Sequence, residues 1–218
     1  MSDAMTMIPS GVPQYWDDAR EYLCQADATL GAVIKAFSAT PEEDPPLSSR
    51  GDLFYTLANA IVGQQISAAA AAAVWGRLIS LVGRMAPDQI LRCSPESLRE
   101  VGLSQRKIEY LRGVAHAMPE LSAFPWSEMT DQEVIKALTT LRGIGPWTAE
   151  MVLIFTLTRP DILPLGDIGV IRAVERLYHG GDKLSKSEVA VIAERWRPYR
   201  TVAVWYLWRT IDAEPVKY

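Results

Sequence analysis

Apolar residues recur along most of the chain at steps of three and four, while runs that alternate every second residue are almost absent. Leu23, Ala26, Leu30, Val33, Ile34 and Phe37 trace one amphipathic helix that begins after Asp17 or Asp18. The Pro- and acid-rich stretch 38–51 ends it and reads as a lobe boundary. Leu53, Leu57, Ala60 and Ile61 open a second helix, which Gly63 interrupts. The alanine run Ala68–Ala73 lies in the next helix, and because alanine lets helices approach closely, tight core packing is expected there. Short helices follow near 87–91 and 94–100, with Pro87 and Pro95 suited to first turns. A longer helix over about 104–117 is followed by a loop bracketed by Pro119 and Pro125. Thr130, with Glu133 three residues on, fits a capping box for a helix to Thr140. Further helices are predicted over 146–157, 168–178, 185–195 and 199–212. The predicted fold class is all-α, divided into an N-terminal segment 1–50 that packs with the C-terminal helices, a helical core 51–165 and C-terminal helices 166–218.

Composition narrows the function classes. With 218 residues, 22 basic and 26 acidic side chains, the chain is long enough to bury a sizeable core. No apolar run is long enough for a transmembrane helix, and MSDAMTMIPS lacks the basic start of a signal peptide, so no membrane partner is expected. Cys24 and Cys93 cannot supply a four-thiolate metal or iron–sulfur site, and a reducing cytoplasm is the expected home. The net charge of −4 argues against a nucleic-acid ligand until its distribution is considered. Residues 1–60 carry net −6, residues 61–169 net −1 and residues 170–218 net +3. Lys183, Lys186, Arg195, Arg197 and Arg200 are therefore candidates for local attraction to an anionic partner.

The most informative segment is Leu141-Arg142-Gly143-Ile144-Gly145-Pro146-Trp147-Thr148-Ala149-Glu150. Two glycines one residue apart permit positive φ and close backbone approach between two helices. Amides at Gly143, Gly145, Trp147 and Thr148 would then face outward at a helix N-terminus, a place that holds phosphate without a basic side chain. The carbonyls of Thr139, Leu141 and Ile144 form a candidate site for Na+ or K+. The same pattern also fits a plain helix–turn–helix corner. About twenty residues later, Leu163-Pro164-Leu165-Gly166-Asp167-Ile168-Gly169-Val170 places one carboxylate at a helix entrance, where an ordinary N-cap is the alternative.

In order, spacing and residue type, the two segments resemble the helix–hairpin–helix DNA glycosylase superfamily, known as HhH-GPD. Ile61-Val62-Gly63-Gln64-Gln65-Ile66-Ser67 resembles the family's minor-groove probing loop, and Ala193–Arg200 resembles the 3-methyladenine DNA glycosylase II branch. The resemblance spans about residues 52–212 and implies a two-lobed helical fold with its active-site cleft between the lobes. Two departures carry information. Trp147 stands where bifunctional glycosylase/lyases carry their lysine nucleophile, so no Schiff base is expected. Only about 50 residues precede the core, so the compact form without an N-terminal β domain is implied.

The resemblance implies a monofunctional enzyme that flips alkylated purines out of double-stranded DNA and excises them by hydrolysis, in base excision repair. Asp167 is the implied catalytic carboxylate, beside the developing oxocarbenium charge. Gln64, Gln65 and Ser67 are implied DNA contacts, with Gln65 as the inserted wedge. Trp147, Met151, Trp205, Tyr206 and Trp208 are candidates for the base pocket, since aromatic faces attract the cationic lesions. A cationic purine leaves as a neutral base, so no general acid is required, and His116 and His179 are read as surface or helix-end residues. No cofactor is required, and a monomer acting in the cytoplasm, associated with the nucleoid if bacterial, is expected. A glycosylase for another damaged base and a non-catalytic helix–hairpin–helix module are the competing readings. The module would have no need of Asp167 or the aromatic C-terminal helix.

Overall fold

Short polar side chains fix where most of the helices begin. The computed structural model describes residues 8–40 and 44–211. In chain order the helices are α1 (Trp16–Ala26), α2 (Ala28–Ser38), α3 (Leu53–Gly63), α4 (Ala68–Val82), α5 (Pro87–Arg92) and α6 (Pro95–Glu100). They continue with α7 (Gln105–Leu121), α8 (Asp131–Leu138), α9 (Pro146–Phe155), α10 (Ile168–Tyr178), α11 (Lys186–Ala193), a 3-10 turn (Glu194–Trp196) and α12 (Arg200–Ile211). Asp52, Ser67, Ser94, Ser104 and Thr130 each accept a first-turn amide, and Thr130 and Glu133 complete the expected capping box. Among the described residues the extended pairing is one isolated bridge, Gly11 with Ser49. No helix among them is long and apolar enough to cross a membrane.

The described residues divide into two compact units, one running from Gly51 to Leu157 and the other made of those in Ser10–Arg50 and in 158–211. Residues 158–165 therefore belong with the second unit. In the first unit α3 is central, packing on α4, α7 and α9. Its residues Leu53, Phe54, Leu57, Ala58, Ala60, Ile61 and Val62 are all buried, and Thr56 bonds Thr156 across the core at 2.8 Å. α9 is buried almost all round, from Thr148 to Phe155. In the second unit α12 occupies that position, with every residue from Thr201 to Trp208 buried and α1, α2 and α10 around it.

Three expectations are corrected. The single helix expected through Leu23 and Phe37 is two, because Asp27 turns its carboxylate onto the amides of Thr29 (3.0 Å) and Leu30 (3.1 Å) and breaks the helix to cap the next. Gly31 allows α2 to lie close on α1, since a Cβ there would come within 2.9 Å of the Cys24 backbone. The loop expected to open at Pro119 starts later: α7 runs through that proline to Leu121, whose carbonyl takes the Trp126 indole at 2.9 Å. The alanine run is not core. All of Ala68–Ala73 except the half-buried Ala71 are exposed, and α4 is anchored instead by Val74, Leu78 and Val82.

Asp27 does more than cap α2. Its other carboxylate oxygen accepts from the Tyr178 hydroxyl and the Trp196 indole, each at 2.8 Å, with Arg195 at 4.0 Å. Burial alone would raise its pKa, but the bonds from Trp196, the Leu30 amide and Tyr178 outweigh it and hold the carboxyl below its usual range. The native group is thus the stronger acid, so its stabilisation is complete at neutral pH and is lost as pH falls below about 4. Asp27→Asn is expected to cost about 3 kcal/mol at pH 7 in urea unfolding, and to flatten the acid side of the stability profile. An unchanged acid limb would show that another carboxylate governs it.

Candidate nucleic-acid interface and carboxylate site

In the first unit, α8 ends at Leu138, the chain turns through Thr139–Ile144, and α9 starts with Pro146 in its first turn. Of the two glycines, Gly143 has the left-handed conformation, φ +90°, and a Cβ there would come within 2.2–2.5 Å of the Tyr110 ring. Gly145 is different. It is the extended N-cap of α9, φ −97°, and a Cβ there would meet nothing within 4 Å. No side chain caps α9, in contrast to α8. Trp147 is half-buried and Thr148 buried in the first turn of α9. The Leu141 carbonyl accepts the Ile144 amide at 3.1 Å within this turn. Among the described residues, no group of three or more His, Cys, Asp or Glu side chains is placed to hold a metal ion.

The loop between α3 and α4 lies in the same unit. Gln65 has φ +60° and is exposed, Ile66 beside it is 41% exposed, and Ser67 caps α4 through the Ala70 amide at 3.3 Å. Gln64 is turned the other way, its side-chain amide donating to the Gly143 carbonyl at 3.0 Å and to the Thr148 hydroxyl at 3.2 Å. Lys107 of α7 donates to the Val62 carbonyl at 2.7 Å and so caps the end of α3, and burial lowers the pKa of its ammonium group. Tyr110, Lys107 and Ile66 are residues that the sequence reading missed. Tyr110 and Lys107 lie one turn apart on an amphipathic helix with no pattern to mark them, and Ile66 falls within the probing-loop segment but is not among its named DNA contacts.

Asp167 lies in the second unit as the N-cap of α10. Its Oδ1 accepts from the Val170 amide at 2.9 Å and from the Trp208 indole at 3.1 Å, and the side chain is half-buried. Gly169 leaves room for this pair, since a Cβ there would lie 3.0 Å from Oδ1 and 3.4 Å from the indole. Asp167 is thus an N-cap, the alternative stated for it above, and the same oxygen also accepts the Trp208 indole. Ile168, next in sequence, is 63% exposed.

Like Trp208 itself, which is 6% exposed, the remaining pocket candidates are core residues. Tyr206 is fully buried, its hydroxyl on Asp44 at 3.2 Å and its ring stacked near Trp16. Asp44 also pairs with the buried Arg209 and, at 3.2 Å, with Arg20. Trp205 is buried with its ring edge-on to Trp16, and Met151 is buried in α9 of the first unit. The basic tail is also less available than its net charge suggests. Arg197 and Arg200 both bond Asp161 at 2.6 Å, and Arg195 lies 4.0 Å from Asp27, while Lys183 and Lys186 are exposed. His116 and His179 are exposed.

A sequence model of the HhH-GPD superfamily of base excision DNA repair proteins matches residues 58–198. The chain is 34% identical over 161 residues to DNA-3-methyladenine glycosylase 1 of Schizosaccharomyces pombe, covering 71% of this chain and 70% of that protein. It is 29% identical over 211 residues to a putative DNA-3-methyladenine glycosylase of Bacillus subtilis, covering 90% and 71%. Among solved structures it is similar to the S. pombe 3-methyladenine DNA glycosylase Mag1 in complex with abasic DNA. There the TM-score is 0.78 at 30% identity, over 88% of this chain and 96% of that one.

Gly143→Ala tests whether the hairpin depends on its left-handed glycine. The clash with Tyr110 and the φ of +90° together are expected to destabilise the protein by roughly 2 kcal/mol or more. A thermal midpoint within a degree of wild type would remove Tyr110 from this account.

Proposed function

The chain belongs to the HhH-GPD superfamily of base excision DNA repair proteins, and from that premise we propose that it is a DNA glycosylase that hydrolyses the N-glycosidic bond of alkylated purines in double-stranded DNA. The lesions proposed are of the 3-methyladenine and 7-methylguanine type, the first being the base that the names of its relatives carry. The observation that carries the reading is the Asp167 carboxylate at the start of α10, fixed by the Val170 amide and the Trp208 indole. Two donors on one oxygen hold the carboxylate in a single orientation, as electrostatic catalysis requires.

The chemistry follows from the leaving group. An N3- or N7-alkylated purine is cationic, so when its bond to C1′ breaks it departs as a neutral base and needs no proton. The sugar is left with oxocarbenium character, which a nearby carboxylate stabilises while orienting the water that attacks C1′. The oxygen of that water becomes the C1′ hydroxyl, and its proton leaves by way of the carboxylate or solvent. Asp167 is assigned this role. Trp147 in place of a lysine supports hydrolysis over Schiff-base chemistry, since an indole cannot form an imine.

Phosphate binding is assigned to the turn at Gly143 and the start of α9. The absence of a side-chain cap there and the open space at Gly145 both favour close approach of an anion to the backbone. The carbonyls of Thr139, Leu141 and Ile144 are proposed to hold Na+ or K+ at the same turn. Gln65 and Ile66, exposed at the tip of the α3–α4 loop, are proposed as the side chains that enter the duplex. Of the aromatic candidates, Trp208 and Trp147 are assigned to base recognition. Trp205 and Tyr206 are buried in the second unit and Met151 in the first.

Asp167→Asn keeps an oxygen for the Val170 and Trp208 bonds but removes the charge. It is expected to lower release of 3-methyladenine at least about 100-fold while duplex affinity changes less than about three-fold. Near-normal base release by this variant would remove Asp167 from the mechanism. In a separate experiment, borohydride added during turnover is expected to trap no covalent protein–DNA adduct. A trapped adduct would establish an amine nucleophile and overturn the hydrolytic reading.

A further inference from the structure

Two adjacent glutamines in the α3–α4 loop have opposite surroundings. Gln65 faces solvent in the left-handed conformation, which a residue with a Cβ adopts only where its neighbours enforce it. Gln64 supplies one such constraint. Its amide nitrogen bridges the Gly143 carbonyl and the Thr148 hydroxyl, two acceptors that flank Gly145 and Pro146. Thr148 is 2% exposed and Gly143 lies against Tyr110, so both acceptors are anchored in the unit's packing. The second constraint is Lys107, whose ammonium group holds the Val62 carbonyl at 2.7 Å where α3 ends. The loop is therefore clamped from α7 on one side of Gly63 and from the hairpin on the other.

We propose that Gln64 is a positioning residue that ties the exposed tip of the loop to the hairpin, so that gripping a phosphate and inserting the tip into the duplex occur as one event. The proposal rests on the glycosylase reading for the use made of this link. The physical need is mechanical. Breaking a base pair and unstacking its base is opposed by the duplex, and a side chain inserted from a yielding loop would be pushed back. A loop fixed to the phosphate grip enters at a set distance from the backbone and cannot retreat without releasing it. Glutamine suits the task because one amide nitrogen donates to both acceptors. Glutamate, of the same size, would present a carboxylate to a carbonyl.

The test uses Gln64→Met in the full chain, which removes the donor at nearly constant size without bringing a negative charge to the phosphate grip. Single-turnover release of an alkylated base from a fully paired duplex is expected to fall about ten-fold, the equilibrium worth of a hydrogen bond or two. The same lesion placed opposite an abasic site has no pair to break, and its release is expected to fall less than about two-fold. Affinity for the duplex should change less than about two-fold, since the grip itself is intact. A duplex carrying 2-aminopurine at the target position reports flipping without chemistry, and its fluorescence rise on saturation with wild type should be lost with the variant. Thr148→Val removes one acceptor at nearly constant shape, and the double variant should lose less than the product of the two single losses.

Equal loss on paired and unpaired lesions would overturn the proposal, because it places Gln64 in folding or chemistry. A ten-fold loss of affinity with a smaller salt dependence would also overturn it, because it makes Gln64 a direct DNA contact. The underlying reading fails separately. If wild type releases no base from any alkylated duplex, yet the fluorescence rise and its loss in the variant remain, the enzymatic reading falls and the positioning role stands. If wild type releases base and the variant keeps the full rise, the positioning role falls alone.

Discussion

Inside the second unit one buried carboxylate joins parts of the chain that are far apart in sequence. Asp27 accepts the Thr29 and Leu30 amides on one oxygen and the Tyr178 hydroxyl and Trp196 indole on the other. A buried carboxylate left short of donors is strongly destabilising, so any arrangement that separates these partners is disfavoured. The constraint reaches the candidate site by a short path. Tyr178 ends α10, which Asp167 begins, and the turn at Trp196 leads into α12, which carries Trp208. The indole–carboxylate bond of 3.1 Å between Trp208 and Asp167 closes that path. Asp44, with Arg209, Tyr206 and Arg20, forms a second buried polar centre on α12. The unit is thus held by polar groups of fixed geometry as well as by apolar packing, which suits a site that must orient a carboxylate.

The first unit reaches its precision differently. The features proposed to act there are backbone features: a left-handed glycine on a tyrosine ring, an uncapped helix start, and a loop tip in left-handed conformation. Side chains act there chiefly as struts. Lys107 and Gln64 donate to carbonyls at the end of α3 and in the hairpin, and Tyr110 fills the space that Gly143 leaves. This division explains how an acidic chain is compatible with a DNA ligand. Backbone amides add no formal charge, and the arginines that make the C-terminal region basic are partly neutralised by Asp161.

Much of this was legible in the sequence because it is local. Helix starts at Asp52, Ser67, Ser94, Thr130 and Ser185 follow from short acceptors three residues ahead of the amides they meet. The hairpin and the position of Asp167 were legible because spacing and residue type coincide over some thirty residues. The failures share a cause. Apolar periodicity through Leu23 and Phe37 survives the break at Asp27, since two packed helices can bury the same stripe that one would. Alanine is compatible with core and surface alike, so Ala68–Ala73 carried no directional information. Formal charge does not reveal pairing, and nothing near Arg197 or Arg200 in sequence points to Asp161.

By itself the sequence determined an all-helical chain, the hairpin, the superfamily and a carboxylate at the head of a helix, since each depends on residues close together along the chain. Tertiary structure decided which members of a motif face a ligand and which face the protein. It turned Gln64 toward the hairpin and left Gln65 exposed, took Tyr206 and Trp205 into the core, and set Trp208 on Asp167. The physical reason is that orientation depends on which acceptors and rings the rest of the chain supplies. Gly143 lies 79 residues from Gln64 and Trp208 lies 41 from Asp167, separations over which local pattern carries no signal.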